Sequence, residues 1–333
     1  MEDMLALAVC FVLGFGASLV FAALVYWVDR YEKEPFLLLG GVFLWGAVVA
    51  AGAAFVVNTT LGLGVYMFTG SEGLTNLTTG SFIAPVIEEC LKGFAVLVVF
   101  FLFRHEFDSV MDGIVYAAVT ALGFAATENV YYLYVLGYQD GGWGGLGWLF
   151  FLRILVFGWQ HPFYTAFTGI ALAVSRMTRN LAVKLFVPFV GLGIAIFTHS
   201  LHNTIAGIVP GLCGLAALVT VDWTGWLAMI VLVLIALFRE QSRLAHYLKE
   251  EIGLGVITPA QYRVACSAWA QTGAVSLSAF GGNYRAARRF YRLTAELAHK
   301  KRQREVMGEE GGNTVIIERL RAELAALSPK VIA

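Results

Sequence analysis

Ser81-Phe-Ile-Ala-Pro-Val-Ile-Glu-Glu-Cys-Leu-Lys-Gly-Phe-Ala-Val-Leu-Val-Val-Phe-Phe-Leu-Phe103 is apolar over nearly its whole length, yet carries three charges in its first half. A helix needs about 20 apolar residues to cross the hydrocarbon core, so 81–103 reads as a span. Six further segments have the same character, at about 4–28, 36–57, 112–136, 149–175, 185–209 and 214–238. Asp222 interrupts the last, which leaves open a short span from Trp223 preceded by a loop at 210–222. The 333 residues are 59% hydrophobic and 14% charged, against roughly 25% charged in a soluble domain. That excludes a soluble enzyme, a disordered chain and a disulfide scaffold. The expectation is an all-α fold, a polytopic membrane helix bundle of about seven spans with a helical tail.

The charges are unevenly spread. Residues 239–333 hold 15 of the 23 Lys and Arg. Two domains follow, a membrane part at 1–240 and a basic tail at 241–333. The start, Met-Glu-Asp-Met, lacks the basic flank of a signal peptide, so 4–28 is read as a retained span. Loop 29–35 carries Arg30 and Lys33, loop 104–111 carries Arg104, and loop 176–184 carries Arg176, Arg179 and Lys184. Loops 58–80, 137–148 and 210–222 carry no Lys or Arg. The positive-inside rule therefore places the N-terminus outside and the tail in the cytoplasm. In the tail, Thr258-Pro259 predicts a helix start. A basic helix is expected over 284–305, a break at Gly308–Gly312, and a last helix over about 314–327. The tail reads as a regulatory or assembly domain, with anionic lipid or a partner protein as the other attraction for its cations. The pattern implies membrane lipid as a partner and no nucleic acid. The four cysteines lack metal-ligand spacing and read as core fillers.

A charge at the centre of a span costs at least about 2.5–3.5 kcal/mol and usually marks function. Span 3 carries Glu88, Glu89 and Lys92; span 4 carries Glu128 and Asn129; span 5 carries Arg153 and His161; span 6 carries His199, His202 and Asn203. Spans 3 and 5 run inward, spans 4 and 6 outward. Counted from the outer ends at 1.5 Å per residue, the Glu and His positions all fall roughly 10–18 Å deep. One buried polar layer is expected. Glu88 and Lys92, four apart, can pair on one face, which leaves Glu89 slightly favoured as a base. His199 and Asn203 share a face. Pro85 and Pro162 can kink their helices beside the layer, opening backbone groups and room for water. Arg153 reads as a snorkelling interface residue and Asp222 as a loop or interface residue.

Two histidines and a glutamate from separate helices can hold zinc and leave a position for water. A further carboxylate can act as the general base. Taken singly, each residue has a structural reading: an ion pair for Glu88–Lys92, a core histidine for His161 or His202, a packing clamp for Glu128-Asn129. A proton or cation relay and a non-catalytic scaffold are the competing functions. No HExxH, GxGD or GxSxG motif occurs.

Four motifs in order resemble one family. They are Asp29-Arg-Tyr-Glu-Lys-Glu-Pro35; Glu88-Glu-Cys-Leu-Lys92; Arg104-His-Glu-Phe-Asp108 with Asp112-Gly-Ile-Val-Tyr116; and Gly123-Phe-Ala-Ala-Thr-Glu-Asn129, followed by His161 and by His199-Ser-Leu-His-Asn203. Over about 1–240 the chain resembles the PrsW-type intramembrane proteases. More remotely it resembles the CAAX-processing Rce-type proteases and the Aph-type subunit of γ-secretase. The resemblance implies a peptidase of a bacterial cell membrane acting on membrane-protein substrates, often anti-sigma factors. It implies Glu88 and Glu89 as the source of the base, Lys92 as their tuning partner, and Glu128, His161 and His199 as a metal set with zinc as the expected ion. Asn203 would stabilise an oxyanion or orient a ligand. Asn129 and His202 are possible accessory residues, and His202 stands where the family often carries an aromatic residue.

Overall fold

A computed structural model describes residues 1–29, 31, 33–309 and 311–331, with His105 described in its backbone alone. Arg30, counted above among the cations of the first loop, and Glu32 of the first motif lie outside the described residues. All regular structure among the described residues is helical. The chain divides into two compact units. The first comprises Met1–Val28, Glu34–Arg176 and Ala182–Val231, and the second comprises Asp29–Lys33, Met177–Leu181 and Leu232–Ala333.

The first unit contains α1 (Glu2–Val28), α2 (Phe36–Leu44), α3 (Ala51–Thr69), α4 (Glu72–Thr78), α5 (Ala84–Leu102), α6 (Val110–Tyr131), α7 (Asp140–Phe150), α8 (Gln160–Arg176), α9 (Leu181–Ile208) and the first half of α10 (Gly211–Gly253). Five helical runs are long and apolar enough to cross a membrane: Glu2–Val28, Phe36–Thr69, Val110–Arg176, Leu181–Ile208 and Gly211–Gly253. The third run holds two of the expected spans, 112–136 and 149–175. Helix α5 is likewise apolar but carries Glu88, Glu89 and Lys92, and it is not among these five. The membrane helix bundle is thus the observed fold.

Its centre is α6, buried on every side from Met111 to Ala126. Small residues permit this, because small side chains let helix backbones approach closely. A methyl built on Gly113 would lie 2.2 Å from the carbonyl oxygen of Gly169 in α8, and one built on Gly169 would lie 1.9 Å from that of Gly113. Helices α1, α9 and α10 stand at the periphery and turn Phe11, Phe189, Phe197 and Leu227 outward, as lipid-facing surfaces do. Ser109 caps α6 reciprocally with Asp112, whose carboxylate also accepts from the Asp108 and Ser109 amides. Tyr116 donates to Glu34. These motif residues therefore hold helix ends together.

The three segments without Lys or Arg differ from expectation. The 58–80 stretch is helical: α3 runs to Thr69, and α4 leads through a π turn at Thr79–Ile83 into α5. The 137–148 stretch is helical with a break at Gly142 (φ 60°), and 210–222 is the start of α10, with Asp222 buried inside it. Near the bilayer an unpaired backbone group is costly, so Gly- and Thr-rich sequence stays hydrogen-bonded. Pro85 and Pro162 stand in the first turns of α5 and α8, each just after an irregular stretch. At Pro162 a missing amide breaks no ladder, whereas Pro85 lies inside a helical run that continues unbroken from α4 through the π turn.

The second unit packs the end of α10 with α11 (Pro259–Ala265), α12 (Ala268–Phe280), α13 (Tyr284–Met307) and α14 (Asn313–Leu327). Leu244, Leu248, Phe290, Leu297, Ile317 and Leu324 form its core. Thr258 caps α11 in a capping box with Gln261. Lys301 meets Glu250 and Glu251 at 2.7 Å each, and Arg321 grips Glu251 with two bonds of 2.9 Å.

Candidate active site

Helix α5 presents Glu88, Glu89 and Lys92 inward, and all three are buried. Lys92 Nζ lies 2.5 Å from Glu89 Oε1. The cation thus pairs with the carboxylate three residues away; the one four away was expected. The reason lies on other helices. Thr165 of α8 donates to Glu89 Oε2 (2.8 Å), and His199 Nδ1 of α9 lies 3.0 Å from Glu89 Oε1. Glu89 is fully enclosed by these donors. Glu88 accepts from Asn58 of α3 through Oε1 (3.3 Å). Its other oxygen, Oε2, is buried without a hydrogen-bond partner and lies 3.8 Å from His199 Nε2.

His161 stands in the first turn of α8. Lys92 Nζ approaches its Nδ1 at 3.3 Å, and Glu128 Oε2 lies 2.8 Å from its Nε2. An ammonium can only donate, so Nδ1 accepts and Nε2 carries the proton given to Glu128. Glu128, near the end of α6, also receives Arg153 Nη2 at 2.5 Å. Arg153 Nε donates to Asn129 Oδ1 at 3.1 Å, and the guanidinium lies 3.7 Å from the Tyr132 ring centre. Arg153 thus turns inward, where a snorkelling residue was expected. It lies on a π-helical stretch, Phe151–Val156, whose extra residue per turn alters the phase that an α-helix would impose.

Glu88, Glu89, Lys92, Glu128, His161 and His199 are therefore brought together from four helices. Counted as ionised, three carboxylates stand beside one lysine and one arginine, and the remaining negative charge favours a metal cation. One ligand atom each from Glu88, His161 and His199 lies within 4.8 Å of the other two. Tyr164 stacks on His199 (centroids 4.8 Å, 19°), and Phe124 covers His161 and Lys92.

Asn203, Asn129 and His202 stand beside this group. Asn203 Nδ2 donates to the Gly80 carbonyl (2.8 Å) and ties α9 to the π turn before α5. His202 Nδ1 lies 2.8 Å from Asp222 Oδ2, and Gln160 Nε2 reaches both. The sequence reading missed Arg153, Thr165, Asn58 and Asp222. For Thr165 a signal existed: it stands one helical turn after His161 and so shares its face.

Fold and site define a polytopic helical membrane protein with a buried glutamate–histidine group that could hold a metal ion. The chain belongs to the family described as PrsW family intramembrane metalloprotease, whose model matches residues 34–238. It is 32% identical over 127 residues to the protease PrsW of Geobacillus kaustophilus, covering 38% of this chain and 52% of that protein. It is 32% identical over 114 residues to that of Clostridioides difficile, covering 33% of this chain and 45% of that protein. With the protease PrsW of Oceanobacillus iheyensis it shares 25% identity over 233 residues, 68% of this chain and 92% of that protein. The chain thus spans about half the length of the Geobacillus and Clostridioides relatives. No solved structure matches it.

Proposed function

We propose that the chain is an intramembrane metallopeptidase that hydrolyses peptide bonds of other membrane proteins. The observation that carries this reading is the free oxygen of Glu88. It is buried, has no hydrogen-bond partner, and faces His199 Nε2 within the Glu88–His161–His199 group. Two imidazoles and a carboxylate suit zinc and leave room for water. When bound, zinc would acidify a water molecule and polarise a peptide carbonyl.

The chain's own residues prepare that chemistry. Glu89 accepts a hydrogen bond from the protonated Nδ1 of His199, which leaves Nε2 unprotonated and aimed toward Glu88. Thr165 and Lys92 hold Glu89 in that task. A ligating nitrogen must be bare, so His161 would offer Nδ1, which carries no proton, while Nε2 keeps the proton it donates toward Glu128. Glu128, still held by Arg153, is then the base that takes a proton from water. The sequence reading puts Glu128 among the ligands and Glu88 or Glu89 as the base. The distances support Glu88 as ligand, Glu128 as base and Glu89 as the group that orients His199. The bond to Gly80 supports a positioning role for Asn203.

The buried depth of the centre supports membrane-spanning substrates, with anti-sigma-type single-pass proteins as the specific class. The distribution of Lys and Arg supports an outer N-terminus and a cytoplasmic tail.

The test is metal content and cleavage measured together on the purified full chain. Wild type should carry about one zinc per chain and cut a single-pass reporter. His199→Ala should lose the metal, and Glu128→Gln should keep metal but not cut. Well-folded wild type without metal, or a Glu128→Gln enzyme that cuts normally, overturns the assignment.

A further inference from the structure

The second unit carries a surface that the proposed peptidase chemistry does not use. Helix α12 contains no charged residue, and it exposes Trp269 (73%), Leu277 (71%) and Phe280 (93%). At 100° per residue these three fall within about 80° of one another, on one face of the helix. Large exposed aromatic and aliphatic side chains on one face mark an interaction site. A turn of three residues, 281–283, leads directly into α13. There Arg285, Arg288 and Arg292 recur at a spacing of three and four, and all three are exposed. Arg289, on the same stripe, is neutralised by Glu323 at 2.8 Å. Between Glu251 and Glu296 the chain has no acidic residue.

An apolar aromatic face continued by a stripe of arginines that have no ion pair among the described residues fits one chemistry, that of an anionic lipid interface. Apolar side chains enter the headgroup boundary and cations meet the lipid phosphates. The second unit belongs to the same chain as the membrane-spanning helices. The chain passes between the two units five times, at 28/29, 33/34, 176/177, 181/182 and 231/232. Those passages tie the second unit to the membrane-spanning helices at several points.

We propose that α12 and the first turns of α13 form a docking surface for the anionic headgroups of the bilayer in which this chain is embedded. Trp269, Leu277 and Phe280 are its apolar anchors, and Arg285, Arg288 and Arg292 its charge contacts. Each cation near an anionic surface contributes about fivefold in affinity.

The test uses the full chain in nanodiscs and follows amide hydrogen exchange by mass spectrometry. Peptides covering 268–292 should exchange about tenfold more slowly in phosphatidylglycerol discs than in phosphatidylcholine discs. Peptides of α14 should exchange alike in both and report that the tail is folded. High salt should remove the difference. So should the Arg285→Gln/Arg288→Gln/Arg292→Gln variant, whereas the matching Arg→Lys variant should keep it. Equal exchange in both lipids overturns the proposal. So does protection that tracks protein concentration and not lipid charge, which would assign the surface to a second copy. Protection that appears only with added soluble protein also overturns it.

Discussion

Glu89 holds His199 from behind: Oε1 lies 3.0 Å from Nδ1, on the side of the ring away from the nitrogen that faces Glu88. A carboxylate behind an imidazole fixes its tautomer and its direction. Glu89→Gln should therefore lower metal affinity by about 10–100-fold without unfolding the protein. Metal titration by calorimetry checks this, and an unchanged affinity would remove Glu89 from the role of orienting group.

Thr165 supports that arrangement through its single bond to Glu89 Oε2. Thr165→Val keeps the shape and removes the donor. The expected result is a drop in kcat with KM little changed, and recovery of most activity in Thr165→Ser. Equal activity of the Val and Ser variants would assign Thr165 to packing alone.

Arg153 neutralises Glu128 at 2.5 Å. Removing one partner of a largely buried pair leaves an uncompensated charge, which costs about 3–5 kcal/mol when burial is complete. Here both side chains are partly exposed, so a loss of about 1–3 kcal/mol is expected for Arg153→Met. The double variant Arg153→Met/Glu128→Gln should recover much of it. Thermal unfolding of both variants in one detergent measures the coupling.

Gly113 and Gly169 let α6 and α8 touch backbone to backbone. Gly113→Ala has no free space for its methyl and should cost about 1–3 kcal/mol. Because α8 carries His161, it should also weaken metal binding. A substitution at Gly193, which has open space around it, is the control and should leave both properties unchanged.

The tail should respond to acid. The hydrogen bond from Lys301 holds the Glu250 carboxyl below its ordinary value, and that from Arg289 does the same for Glu323. A depressed carboxylate stabilises the fold above the ordinary carboxylate range, and loses that contribution as pH falls through the folded-state value. The second unit should thus be most stable near neutrality and weaken below about pH 4.5. Both carboxylates are well exposed, so the effect is modest and salt should reduce it. Exchange rates in α13 and α14 across pH 7 to 4 measure it, and flat rates would remove these pairs from the account.

Much of the site was legible in the sequence because depth in a helix is arithmetic. A fixed rise per residue places Glu88, Glu128, His161 and His199 in one layer, and the four helices do bring them together. Partner choice was not legible. Lys92 can reach the carboxylates three and four residues back on its own helix, and Thr165 and His199, which come from other helices, decide for Glu89. Arg153 was misplaced because a π-helical stretch changes which way a residue faces without changing its position in the sequence. Segments 58–80 and 137–148 read as loops because Gly and Thr are turn formers in water. Near a bilayer, backbone hydrogen bonding keeps them helical.

The buried centre draws on four helices spread from Glu88 to His199, and this has a consequence for biogenesis. Helices emerge from the ribosome in order, at about 5–20 residues per second. The sequence distance of 111 residues between the first and last centre residues corresponds to several seconds of synthesis. Until α9 is inserted, Glu88 has no histidine at its free oxygen and Glu89 has none to orient. The centre is therefore incomplete until that helix is made, and a message truncated before the codon for His199 yields a chain without it.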